Sequence, residues 1–131
     1  MENVALTCEN ATLTMDAEGG FHLRWIPGSA VSSTDADAIV EAVHDVTGDN
    51  LRPILVEVVD VCMSPGARET LLGGRFVSAV AMVGATVVDR VMAAALLRDQ
   101  ECPNRYFTSV DDARQWLAQL SIPDAPVASA S

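Results

Sequence analysis

The chain has 131 residues, half of them hydrophobic and 20% charged, with a formal net charge of −10 at pH 7. That length fits one domain whose core is large enough to hold without disulfides or metals. The charge weighs against nucleic acid or an anionic membrane as partner and leaves a basic protein or a small neutral ligand easier to accommodate; all eight cationic residues are arginine.

Residues 3 to 15 alternate loosely through Val4, Leu6, Ala11, Leu13 and Met15, which predicts one or two strands. Asp16-Ala17-Glu18-Gly19-Gly20 is turn chemistry. Phe21, Leu23 and Trp25 then alternate with His22, Arg24 and Ile26, a strand period that Pro27-Gly28 ends. These segments predict an N-terminal hairpin at a sheet edge. Ser32 to Asp35 offers several helix N-caps, and Thr34 with Asp37 has capping-box spacing. Ala38, Ile39, Ala42, Val43 and Val46 recur at helical spacing, with Asp35, Glu41 and Asp45 on the wet side and Gly48-Asp49-Asn50 as the stop.

The stretch from Pro53 to Gly74 organises the chain. Residues 54 to 59 (Ile-Leu-Val-Glu-Val-Val) form a short, mainly apolar run rich in β-branched side chains, as suits a central strand. Ser64 follows as an N-cap and Pro65 takes the first helical position, where its missing N–H costs least. Gly73-Gly74 ends this short helix. Arg75 to Val83 is too continuous for a one-sided strand and predicts an inner strand buried on both faces. Thr86 caps a third helix with Asp89 at the capping-box position, and that helix closes near Arg98-Asp99. Its few polar positions make it either a face for a second copy of the chain or a helix covered by the chain's own last helix. Pro103 breaks the chain. Asn104 to Thr108 is a strand, and Ser109 caps a last helix with Asp111 and Asp112 in its first turn. Val110, Ala113, Trp116, Leu117 and Leu120 form the apolar face of that helix. The domain spans residues 1–122, and 123–131 form a small, polar tail expected to be disordered.

The order is three strands, then helix and strand in alternation, ending on a fourth helix. It predicts a mixed β-sheet with an N-terminal hairpin, parallel pairing with right-handed crossovers, and about four helices mostly on one face. With the strand ending Met63-Ser64-Pro65-Gly66, this order resembles a STAS domain, the fold of bacterial anti-sigma-factor antagonists. In that family the strand ends Asp-Ser-Ser-Gly, and a partner anti-sigma kinase phosphorylates the first serine. The resemblance puts Ser64 at the phosphoacceptor position and Gly66 at the glycine; Met63 and Pro65 depart from the pattern. The entry Leu23-Arg24-Trp25-Ile26-Pro27-Gly28 with Asp35-Ala36, and the end Arg105-Tyr106-Phe107-Thr108 with Ala113 and Trp116-Leu117, resemble the small bacterial SpoIIAA-like (STAS/SEC14-like) proteins over roughly residues 20 to 120. That resemblance implies a non-enzymatic regulatory or ligand-binding module.

The candidate chemistry is sparse. A phosphate on Ser64 would meet a helix N-terminus, while the simpler role of Ser64 is an N-cap worth roughly 1 kcal/mol. Met63, Met82 and Met92 could line an adaptable apolar ligand groove between helices and sheet, or simply fill the core. Glu57 and Asp60, on and just after the central strand, are the acids best placed for a buried general acid, but no partner carboxylate or nucleophile–base pair is visible. His22 should face solvent, His44 has no ligand-spaced neighbour, and no metal site or cofactor is expected. Trp25 and Trp116 read as core aromatics. Cys8, Cys62 and Cys102 form no CxxC pair and read as reduced thiols of a cytoplasmic protein. No membrane span is expected, since the longest apolar run, Phe76 to Val88, is too short. The partners to expect are another protein, a second copy, or a small apolar ligand.

Overall fold

The computed structural model describes residues 2–6, 8–16, 19–48, 50–72, 77–98 and 102–120. The strands are β1 (Glu2–Val4), β2 (Ala11–Met15), β3 (Phe21–Trp25), β4 (Ala30–Val31), β5 (Pro53–Glu57), β6 (Cys62–Met63), β7 (Ala79–Val83) and β8 (Asn104–Phe107). The helices are α1 (Ser33–Thr47), α2 (Pro65–Leu72), α3 (Val87–Leu97) and α4 (Val110–Leu120). Six strands form the main sheet in the order β1-β2-β3-β5-β7-β8. β1, β2 and β3 pair antiparallel, and β3, β5, β7 and β8 pair parallel. The mixed sheet and the N-terminal hairpin are therefore as the sequence predicts. β4 and β6, which pair parallel in a separate ribbon, are too short to leave a periodic signal.

Each parallel step moves the same way across the sheet, so right-handed crossovers must lay their helices on one face. The main core follows from this. Leu13, Phe21, Leu23, Trp25, Ile54, Val56, Val80 and Met82 point from the sheet toward Ile39 and Val43 of α1, Ala67 of α2, and Ala93 and Leu96 of α3. The alternate residues Leu55, Ala79, Ala81 and Val83 point the other way and meet Ala113 and Leu117 of α4. β7 is consequently buried at all five positions, the doubly covered strand its composition predicts. The small Ala79 and Ala81 let α4 lie close. α4 therefore covers the opposite face of the sheet, so of the two alternatives for α3, cover by the last helix is not the one found.

Helix starts show one further difference. Ser32, not Thr34, caps α1. Its hydroxyl accepts from the Asp35 N–H, and the Asp35 carboxylate accepts from the Ser32 N–H. Asp35 also accepts from the Asn10 side chain at 2.9 Å, which ties the β2 entry to α1 and selects this register over the one starting at Thr34. The helix stop at Gly73-Gly74, the first residues of the run from Arg75, the close at Asp99 and the tail 123–131 lie outside the described residues. Trp25 is only 1% exposed and is among the largest fully buried side chains. Trp25→Ala is expected to cost about 3–5 kcal/mol, read as a lowered urea midpoint.

Candidate functional site

The carboxyl ends of β5, β7 and β8 lie at one edge of the sheet, and a single carboxylate ties the segments that follow β5 and β7. Asp89, 2% exposed, accepts from the Ala85 N–H at 2.8 Å, the Thr86 N–H at 3.0 Å and the Asp60 N–H at 2.9 Å. The Thr86 hydroxyl returns the capping box by accepting from the Asp89 N–H at 3.1 Å. Burial alone would raise this carboxyl, but the N–H groups of Ala85, Asp60 and Thr86 and the Thr86 hydroxyl outweigh it and hold it below the ordinary carboxylate value. Asp60 sits at φ 54°, a left-handed conformation that aspartate tolerates better than most residues. Its carbonyl accepts from the Gly28 N–H at 2.8 Å, so the clasp reaches the β3 exit as well.

Gly84 is needed where β7 turns into α3. A Cβ there would lie 2.5 Å from the Tyr106 hydroxyl and 2.7 Å from the Asp89 Cβ. The Tyr106 hydroxyl is buried without a hydrogen-bond partner among the described residues. Burial and then the Asp89 charge push this phenol up, with Arg90 pulling it part of the way back. Beside it an open groove of about 440 Å³ is lined by Thr86, Val87, Arg90, Tyr106, Thr108 and Asp112. From the groove a stripe of exposed valines runs along α3. Val87 and Val88 are each 77% exposed and Val91 is 65% exposed.

Ser64 is where the sequence places it, as the N-cap of α2. Its hydroxyl accepts from the Ala67 N–H at 3.1 Å, and its own N–H donates to the Val31 carbonyl at 3.0 Å. Gly66 faces the start of α1, where a Cβ would come within 3.1 Å of the Ser33 Cβ. Met82 is buried in the main core, and Met63 and Met92 pack half-buried against it. Glu57 and Asp60 are not brought together: Asp60 belongs to the clasp and Glu57 faces the α4 side. There His22 is half-buried and paired rather than free in solvent, 2.5 Å from Glu57 through Nε2 and 2.9 Å from Arg114 through Nδ1. Arg114 can only donate, so Nδ1 accepts and Nε2 carries the hydrogen given to Glu57. The period-2 pattern puts His22 on that face correctly, but nothing in it reveals that α4 arrives there. Among the described residues, no group of three His, Cys, Asp or Glu side chains is arranged to hold a metal ion. None of the described helices is long and apolar enough to cross a membrane.

This architecture is a STAS-like, SpoIIAA-like fold. It is shared with an uncharacterised protein of the DUF3478 family from Shewanella loihica PV-4, which has that fold; the TM-score is 0.63 at 12% identity, over 89% of this chain and 95% of that one. Residues 14–121 match the model of a domain of unknown function, DUF7793, and the chain belongs to that family. A protein of unknown function from Arthrobacter sp. FB24 is 31% identical over 81% of this chain and 97% of its own, with a TM-score of 0.32. No curated protein matches the chain.

Two outcomes follow from these contacts. Because Asp89 is depressed in the folded state, the unfolded chain binds its proton first. The stability that Asp89 contributes is therefore full above the ordinary carboxylate range and is lost as pH falls through the lower folded value. Asp89→Asn should cost about 2 kcal/mol at neutral pH, and the gap from the parent should close in acid, measured by urea titrations from neutral to acid pH. Ser64→Ala should cost about 1 kcal/mol by the same measurement, since it leaves the Ala67 N–H without its cap.

Proposed function

We propose that this protein is a non-enzymatic regulatory module that acts by binding another protein through the outer face of α3 and the groove beside it. One observation carries this reading. α3 buries Ala93, Leu96 and Leu97 against its own core yet presents Val87, Val88 and Val91 to water, two of them 77% exposed. Single exposed apolar residues are ordinary, but three on one helical stripe beside a groove are the signature of an interaction surface. Covering each valine is worth roughly 1–2 kcal/mol. Arg90, Tyr106, Thr108 and Asp112 around the groove supply polar groups that can orient a partner. In the same reading Ser64 is the switch. It opens α2 at the helix end that favours a phosphate, and a phosphate would deepen a net charge that is already −10.

A photo-crosslinking side chain placed at Val88 in cells of the native host tests the surface, with the exposed Glu41 of α1 as control position. Protein adducts from position 88 and few from position 41 are the expected result. Equal or absent adducts at both positions would overturn the reading.

A further inference from the structure

α4 has a thin seat on the sheet. It buries two residues, Ala113 and Leu117, where α1 buries six. Val110 and Trp116 are only half-buried beside them. A helix held by so little apolar contact lies toward the low end of local stability, so a single polar tie to the sheet counts. Arg114 supplies one, donating from its guanidinium to His22 Nδ1 at 2.9 Å.

That bond exists for one charge state of His22 only. A guanidinium accepts nothing, and an imidazolium has no lone pair left to offer. Nδ1 therefore receives Arg114 only while the ring is neutral. Glu57 has the opposite preference. Its carboxylate lies 2.5 Å from Nε2, and that contact becomes an ion pair when the ring gains a proton. The His22 and Glu57 side chains are each 20% exposed, so protons reach the ring without the sheet opening. The remaining charges around His22 come from three elements and the β2–β3 turn. Arg24, exposed on β3 and in register with Glu57, is a second cation. At the turn end of this face Asp16 accepts from the Gly20 N–H at 2.9 Å, and the Arg52 guanidinium lies over Gly19. β2 opposes His22 with Thr14, which brings no charge. On α4, Asp112 lines the groove beside α3, while the exposed Asp111 stands three residues before Arg114, the spacing at which helix side chains pair.

We propose that His22 is a proton-operated latch that fastens α4 to the sheet. With the ring neutral, Nδ1 accepts from Arg114 and the Nε2 hydrogen is given to Glu57. When a proton from solvent binds Nδ1, that nitrogen becomes a donor facing a guanidinium, and the Arg114 bond is lost. The imidazolium stays with Glu57, now as an ion pair. Arg114 turns out toward Asp111 and water, and α4 rests on its apolar seat alone. An imidazole ordinarily changes charge between about pH 5 and 8, which sets the range in which the latch opens.

Amide hydrogen exchange on the full chain at about pH 8 and about pH 5.5, corrected for the intrinsic pH dependence of exchange, tests the latch, with α1 of the same molecule as reference. On acidification, protection across Val110–Leu120 should fall about fivefold more than protection across α1, the loss of one hydrogen bond. Arg114→Met keeps the stem and removes the donor, and it should leave α4 at the acid level at both pH values. Arg114 is exposed, and unchanged protection of α1 reports that the variant is folded. Glu57→Gln takes away the carboxylate that holds the imidazolium, so the midpoint of the change in α4 should move to lower pH. Protection of α4 that is the same at both pH values overturns the proposal, as does a fall that α1 shares in full. So does a fall that persists in Arg114→Met, or a midpoint that Glu57→Gln leaves in place or raises.

Discussion

The carboxylate of Asp89 is the constraint on which the carboxyl-end edge of the sheet depends. Parallel strands end with backbone groups that no neighbouring strand can satisfy, and here three such ends must meet the start of a helix. One buried anion accepts N–H groups from two chain segments and returns a capping box to its own helix. Removing water from a charge is costly, so the arrangement holds only because its acceptor capacity is filled. Gly84 belongs to the same constraint, since any side chain there would drive Tyr106 away from Asp89. The left-handed Asp60, the groove and the direction in which α3 leaves the sheet all follow from that packing.

A second consequence concerns the two sides of the sheet. Crossovers stepping one way place α1, α2 and α3 together, and only α4 returns to the far face. The far face is thus covered over β5 and β7, where Leu55, Ala81 and Val83 meet α4, and ends in the polar cluster of His22, Glu57 and Arg114. The near face is deep enough to bury one side of α3, but no element of the described chain lies over the other. That apolar stripe is the surface our proposal gives to a protein partner. Met63, Met82 and Met92 lie on the near face as core or its margin, and Ser64 serves as the cap that starts α2.

Much of this was legible along the chain. The doubly buried β7, the hairpin, the caps at Ser64, Thr86 and Ser109, and the alternation of strand and helix are local properties, written in spacing and side-chain type. The resemblance carried by Ser64, Gly66 and the Tyr106-Phe107 end pointed to the correct fold. The start of α1 was not legible, because Ser32 and Thr34 are equivalent as caps until Asn10, distant in sequence, bonds Asp35. Nor was the pairing of His22 with Glu57 and Arg114, whose partners lie 35 and 92 residues away.

The sequence by itself determined which residues turn inward and where most elements begin, α1 excepted, since both depend largely on neighbours within a few residues. Only the tertiary structure decided which face each helix covers. The apolar pattern of α3 fits either a covered helix or an exposed one, and the choice was made by α4 crossing to the other side of the sheet. The same is true of Asp89. Its capping box can be read from Thr86 three residues before it, but its third bond, to the Asp60 N–H, exists only because strand order brings the ends of β5 and β7 side by side.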